Sequence, residues 1–351
     1  MLSRVANSIY WMSRYVERAE NVARFIDVNL NLALDLGPEM DRHWDPLIYT
    51  TGDHKEFTER YPDGTQQNVI QFLTFDAENP NSILCCLQTA RENARTVRDM
   101  VSSTMWEELN KSYLFVKTAS QPQVLGSPFD FFAQIKLSAY TLDGSVQSTL
   151  SRNEAWHFYR MGQMLERADK TSRILDVKYY LLLPQVSDIG TQLDTNQWAA
   201  LLKSASALEM YRKAHGRLTP QQVAKFLMLD REFPRAVRFC VGRAEQSLLK
   251  ITGGTHGNFD NRAEQRLGRL RAELDYTNID EIFTTGLHEF IDQFQAKLNG
   301  VGQAISETFF AVQPVAEPNK EPITSSGHNR PQPTGGWQTQ SQSQSQRTGD
   351  G

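Results

Sequence analysis

Long apolar runs are missing from this 351-residue chain. No apolar stretch reaches the roughly 18 residues that a membrane-spanning helix needs. Cysteine is scarce as well. Cys85, Cys86 and Cys240 give neither a disulfide framework nor a metal-ligand spacing, and adjacent Cys85 and Cys86 read as core fillers in an apolar helical run. Neither sign of charge dominates: 37 basic residues stand against 41 acidic ones, a net of −4, so no overall basic field draws nucleic acid or anionic membranes. The N-terminus, MLSRVANSIYWMSRYVERAE, lacks the apolar run and small-residue cleavage site of a signal peptide and instead opens an amphipathic helix. A cytoplasmic protein is expected, with no nucleic-acid or membrane partner.

Several catalytic patterns are absent too. There is no Gly-x-Ser-x-Gly, and Gly253–Gly254 in ITGGTHGNFD has the wrong pattern for a phosphate loop. The seven histidines fall in loops or singly on helices. Carboxylate-bridged metal bundles use two Glu-x-x-His motifs. This chain has Glu154-Ala-Trp-His157 and no second copy, while Glu17 with Glu20 and Glu166 with Asp169 are flanked by arginines that oppose a cation. No metal and no cofactor are expected. Asp53, His54 and Glu56 in TGDHKEF fit either a site or a loop with its own caps.

Strand-like alternation is nearly absent, and the remaining pattern is helical. A first helix spans Leu2 to about Leu36, stopping at Gly37–Pro38, and Asp41–Pro80 reads as one insertion of short helices and ordered loops packed over a bundle. Ser82 caps a helix to about Ser103. Helices follow at Trp106–Ala119, Pro128–Leu150, Asn153–Leu183, Thr195–His215, Pro220–Leu229, Phe233–Thr252, Asn258–Leu274 and Gly286–Val312, with Pro234 in a first turn. The fold class is all-α, a bundle of two related halves (about 1–150 and 151–312). Residues 313–351 form a Gln/Ser-rich tail, with a lone Trp337, too polar to order itself.

The two halves are inferred from one repeated helix. YWMSRYVERAENVARFIDV (Tyr10–Val28) and YRMGQMLERADKTSRILDV (Tyr159–Val177) share eight of nineteen positions without a gap. Both carry an apolar seam with alternating steps of four and three, with small residues at Ala19 and Ala23 and at Ala168 and Ser172. Packing alone keeps a seam and lets its flanks drift. Here the polar flanks persist: Tyr10, Glu17 and Arg24 lie seven apart and return as Tyr159, Glu166 and Arg173, while Arg18 returns as Arg167. Glu20 precedes Arg24 by four residues, Asp169 precedes Arg173 by four, and Asp99 follows Arg95 by four, spacings that usually support exposed helices. Beside small-residue seams such groups are partly buried. They then either fix the register of the halves or bind an anion such as a carboxylate or phosphate. If the copies lie around an approximate two-fold axis, Glu17 approaches Arg167 or Arg173, and Glu166 approaches Arg18 or Arg24.

Over about residues 1–312 the chain resembles the bacterial alpha-E domain family. The resemblance rests on LSRVANSIYWMSRYVERAENVARFID, DPLIYTTGD, FDAENPNSI, RENARTVRD, MWEELN, WHFYRMGQMLERADKTSRILDV and FLMLDREFPRAVRFC, with a departure at Ala236, where related sequences often carry Ser. The signature positions present are Arg14, Glu17, Arg18, Glu20, Arg24, Arg91, Asn93, Arg95, Arg98, Trp106, Glu166, Arg167, Asp169, Arg173, Asp230, Pro234 and Arg235. With Tyr10 and Tyr159, most of these form the candidate polar network or anion site, and no catalytic residue is assigned. The resemblance implies an association with ATP-grasp amide-ligase-like and transglutaminase-like or peptidase-related proteins, in a system that makes or modifies peptides. The expected function is a non-catalytic helical partner of such a ligase, handling a peptide or amino acid. The alternative is a stand-alone enzyme that forms or cleaves amide bonds with Glu17 and Glu166.

Overall fold

A computed structural model describes residues 1–36, 44–181 and 192–311, and residues Met1–Val312 form one compact unit. The expected stops at Gly37–Pro38 and Pro184, and the expectation of a disordered tail bearing Trp337, lie outside the described residues. Every described regular element is helical, as an all-α chain requires.

Two long helices carry the repeat: α1 (Ser3–Leu36) and α9 (Glu154–Leu181). They pack directly on each other, and the contact is close because small residues face it. Gly162 takes the place in the second copy that Ser13 holds in the first. A Cβ at Gly162 would stand 2.5 Å from the Tyr10 carbonyl oxygen and against the Ser13 hydroxyl. Ala19, Ala23, Ala168 and Ser172 are all buried as well.

Between α1 and α9 the chain forms α2 (Asp45–Thr51), α3 (His54–Arg60), α4 (Gln66–Thr74), α5 (Ile83–Thr96), α6 (Ser103–Thr118), α7 (Gln121–Gly126) and α8 (Pro128–Thr149). The N-termini are set by local chemistry. Thr65, Ser82 and Ser102 each accept a hydrogen bond from the backbone N–H three residues on, satisfying donors the first turn leaves open. α5 and α8 lie against α1, and α2 lies against α9. The 44–80 segment is more than a cover over the bundle, because Trp44, Ile48, Val69, Ile70, Phe72 and Leu73 are all fully buried. α5 also stops at Thr96, short of the expected Ser103. Val97 and Val101 remain buried, but they reach the core from a turn.

After α9 come α10 (Gln192–Ser204), α11 (Leu208–Ala214), α12 (Pro220–Leu229), α13 (Val237–Thr252), α14 (Arg262–Tyr276), α15 (Ile279–Thr285) and α16 (Leu287–Ile305), closed by a π-helical turn at Ser306–Phe310. The single helix expected over Thr195–His215 is two, because Ser206 adopts a left-handed φ of 50° between them. Nor does a helix begin at Phe233 with Pro234 in its first turn. Asp230 Oδ1 accepts from the N–H groups of Glu232 and Phe233 at 2.8 and 2.7 Å, tying residues 230–236 into a loop, and α13 starts at Val237. α13 packs on α9 and α14, and α14 packs on α16. The centre of the molecule is therefore α9, with α1 on one flank and α13 on another.

Candidate functional site: an interlocked Glu-Arg network

Consecutive helical residues point about 100° apart. Glu17 and Arg18 therefore face different sides of α1, as Glu166 and Arg167 do on α9. Where the helices cross, the two dipeptides interlock. Glu17 accepts from Arg167 Nε and Nη2, both at 2.8 Å, while Glu166 accepts from Arg18 Nε at 2.7 Å and Nη2 at 3.2 Å. Each helix supplies one acid and one base to the other. Of the partners expected from two-fold reasoning, Arg167 and Arg18 are correct and Arg173 and Arg24 are not. Arg173 binds Asp169 and Arg24 binds Glu20, both within their own helix.

Around each pair a separate cluster has grown. Glu166, fully buried, also accepts from Arg14 Nε at 2.8 Å, and Arg14 Nη1 donates to the Tyr10 hydroxyl at 3.2 Å. Lys170 Nζ lies 3.2 Å from Asp169. Arg18 Nη1 donates to Asn81 Oδ1, and Asn81 Nδ2 donates to Asp53 Oδ1, each at 2.6 Å. Asp53 is thus joined to the network from the α2–α3 connection, whereas His54 stacks on Tyr49.

The second cluster gathers around Glu17 and Glu20. Arg235 donates from Nη1 to Glu17 at 3.1 Å and from Nη2 to both Glu20 oxygens at 2.8 Å. Asn21 Nδ2 adds 3.0 Å to Glu17 Oε1. Arg24 meets Glu20 and Ser206 and donates to the Tyr140 hydroxyl at 2.8 Å, while its buried Nε has no partner. The loop ending at Ala236 is what brings Arg235 to α1, a placement the helical reading of Phe233–Thr252 missed. The Asp-x-Glu-Phe-Pro run was the available signal, since aspartate readily caps a turn of this kind. Tyr140 and Ser206 carried no such signal. They lie on α8 and in the α10–α11 break, and only the tertiary fold brings them to Arg24.

Charge decides the protonation states here. Burial pushes the Glu17 carboxyl up, but Arg167 and then Arg235 outweigh it and hold it down at about 2. Glu166 is likewise held well below the ordinary range by Arg18 and Arg14 against its burial. Burial lowers Arg24 to about 10, with Arg235 adding to the effect. Burial raises the Tyr159 phenol, and Asp143 raises it further.

Beside the Glu17 cluster opens a cleft of about 210 Å³, lined among others by Glu17, Glu20, Tyr140, Asp143, Tyr159, Arg167 and Arg235. Its lining carries both signs of charge, and the Asp143 carboxylate, which accepts from Gln163 at 3.1 Å, also acts on Arg167.

The remaining signature residues lie elsewhere. Arg91 and Arg98 stand over the Trp106 ring at 5.4 and 5.5 Å, and Arg91 donates to Asn110 at 2.7 Å. Arg95 pairs with Glu92 at 2.7 Å, not with Asp99, and is largely exposed. The Asn93 carbonyl accepts from Thr96. These residues, on α5 and the turn that follows it, form their own group with α6. The Glu154-Ala-Trp-His157 motif is divided: Glu154 accepts from the N-terminal amine of Met1 at 2.8 Å, and the charges that act on His157 are the cations Lys250 and Arg152. That environment repels a metal cation.

A family model described as a predicted alpha-helical domain with a conserved ER motif matches residues 1–310, and the chain belongs to this Alpha-E family. The dipeptides that interlock α1 and α9 are both Glu-Arg; a third, Glu59-Arg60, points instead to Asp76 at 2.7 Å. Uncharacterized proteins of Mycobacterium bovis and Mycobacterium tuberculosis are 20% identical to this chain over 347 residues. The match covers 91% of this chain and 39% of each relative, so the chain spans about two-fifths of their length. No solved structure shows a significant match. No described helix is long and apolar enough to cross a membrane.

Proposed function

We propose that this Alpha-E protein is a non-catalytic partner of an ATP-grasp-type amide ligase, holding a peptide end or amino acid in the cleft beside Glu17 and Arg235. The observation that carries the non-catalytic reading is the state of the carboxylates. A general acid needs a raised carboxyl pKa and a general base needs a free lone pair facing substrate. Glu17 and Glu166 have neither, since each is ionised and engaged by two or more cationic side chains. An acid–base pair built on them gains no support from this geometry.

What favours a peptide end or amino acid is a small cleft whose lining carries both signs of charge: Arg167 and Arg235, already paired with Glu17 and Glu20, and Asp143, which suits an ammonium group; about 210 Å³ is smaller than a typical drug-sized pocket. The link to a ligase rests on the family resemblance, along with a transglutaminase-like or peptidase-related protein as a second partner and peptide modification as the setting. The relatives add one supporting fact: there the matched region is a minority of a longer chain, as suits a module that works beside another unit. A cytoplasmic setting fits buried, unpaired Cys86 and Cys240.

Co-purification of the full chain with its ligase-like neighbour, with and without ATP, tests the reading. Association is expected, and repeated failure in both conditions overturns it. Turnover of a peptide panel by the isolated protein, abolished in Glu17→Gln, would establish the enzyme alternative instead.

A further inference from the structure

Away from the Glu-Arg network, the face between α9 and α13 carries a second cleft, of about 410 Å³. The two helices run antiparallel there, since Lys250 acts on His157 and Cys240 on Arg167. Four cations line the cleft: Arg152 and Arg160 from the α9 side, and Arg243 and Lys250, about two turns apart on α13. Among the described residues that line it none is acidic, and none of the four cations makes an ion pair with a described carboxylate. The molecule as a whole is acidic, at −4. Positive charge gathered here, with Arg160 also feeling the Asp143 carboxylate beyond Gln163, sets up a local field that attracts anions.

The side chains are also held in place. Arg152 stacks over Trp156 at 4.4 Å and Arg243 over Phe239 at 5.0 Å, which fixes both guanidiniums at the rim without using up their charge. Arg160 is braced by Gln163 at 2.9 Å. Trp156 Nε1 and His157 Nδ1 are buried polar atoms without a hydrogen-bond partner, an arrangement that folding alone disfavours. Burial, then Lys250 and Arg152, lower the His157 pKa, the response of an imidazole to surrounding positive charge. The N-terminus of α9 adds partial positive charge at the same end, although Asn153 Oδ1 already accepts from the Ala155 and Trp156 N–H groups.

From this arrangement we infer that the α9–α13 cleft binds a small, soluble phosphate-bearing ligand of at least two negative charges. A single carboxylate would leave most of the four cations unneutralised. A phosphate dianion or a diphosphate presents several oxygens to guanidiniums arriving from opposite helices, the geometry arginine serves best. The site lies outside the 210 Å³ cleft and goes beyond the role proposed for it. It stands even if no ligase partner exists.

The test is calorimetric titration of the full chain with inorganic pyrophosphate, at low and moderate salt. Binding is expected, weakening with salt. Arg243→Glu together with Lys250→Glu, both exposed and so tolerable to the fold, is expected to weaken it by at least about tenfold. A control with the same charge change on other exposed positions, Lys203→Glu with Arg262→Glu, is expected to leave affinity within about twofold. Trp156→Phe is expected to remove the pyrophosphate-dependent change in tryptophan fluorescence. Equal loss in the control would show a diffuse charge effect and overturn the inference. So would a dicarboxylate binding as tightly as pyrophosphate, or binding to vesicles bearing a phosphate-monoester lipid in the absence of pyrophosphate binding.

Discussion

Glu17 of α1 receives both donors of the Arg167 fork at 2.8 Å, while the residue after Glu17 returns the same service to the residue before Arg167. A buried carboxylate with three cationic or amide partners is costly to disturb, because its removal strands charges that cannot reach water. Glu17→Ala should therefore destabilise the protein by about 3–5 kcal/mol, leaving Arg167 uncompensated and Arg235 with Glu20 alone. Urea denaturation reads this directly. A transition unchanged by the substitution would place the pair outside the stabilising core.

Acid should act on the same pair. The folded Glu17 carboxyl is depressed from 4.5 to about 2, so its contribution is complete above the unfolded value. That contribution is lost as pH falls from about 4.5 toward 2. Glu166 shifts in the same direction and adds to the loss. Denaturation midpoints measured between pH 6 and 3, as an approximate range spanning the unfolded carboxylate pKa, should fall steeply in the native protein. They should fall less steeply in Glu17→Gln, which has no such proton to take up.

Two glycines in helices make opposite predictions. At Gly162 a methyl group would meet the Tyr10 carbonyl at 2.5 Å, so Gly162→Ala must push α1 and α9 apart and cost about 1–3 kcal/mol. At Gly242, in α13, nothing stands in the way. Gly242→Ala should stabilise by about 0.5–1 kcal/mol through lower chain entropy. Thermal melts of the two variants should move in opposite directions.

His288 provides a titration with the reverse sign. Its Nδ1 lies 2.7 Å from Asp176, and this hydrogen bond raises its pKa above 6.5. Its small stabilising effect is present below the unfolded pKa and disappears as pH rises through the folded one. An NMR titration of the imidazole should show a midpoint above 6.5 that drops in Asp176→Asn.

Long periodic helices and the Glu–Arg exchange were legible in the sequence, because a seam of apolar steps and an ungapped repeat are one-dimensional signals. The first helix, Pro220–Leu229 and the start of the second copy fall within a residue or two of their expected places. Helix ends ruled by side-chain capping were harder to read. Asn278 with Glu281 forms a capping box that opens α15, and Ser120 with Gln123 forms one for α7. Both sequence cues were present, yet neither short helix was anticipated. What no local pattern shows is convergence across the chain. Asn81 adds a hydrogen bond to Arg18, and Tyr140 and Ser206 add theirs to Arg24, each from a different region. The Tyr10 and Tyr159 positions, alike in sequence, diverge in use: one accepts from Arg14, and the other lines the cleft.

The close seat of Gly162 against Tyr10 has a consequence for how these positions can vary. With the helices held that near, a one-residue screw shift of α1 would turn its Glu-Arg dipeptide by about 100° and set Arg18 where Glu17 now meets Arg167. The crossing thus reads its own register, and four side chains act as a checksum for it. Drift at any one of them carries an obligation for its opposite number: a relative that replaces Glu17 is expected to have replaced Arg167 as well, and to have kept the smallest residue where the helices meet.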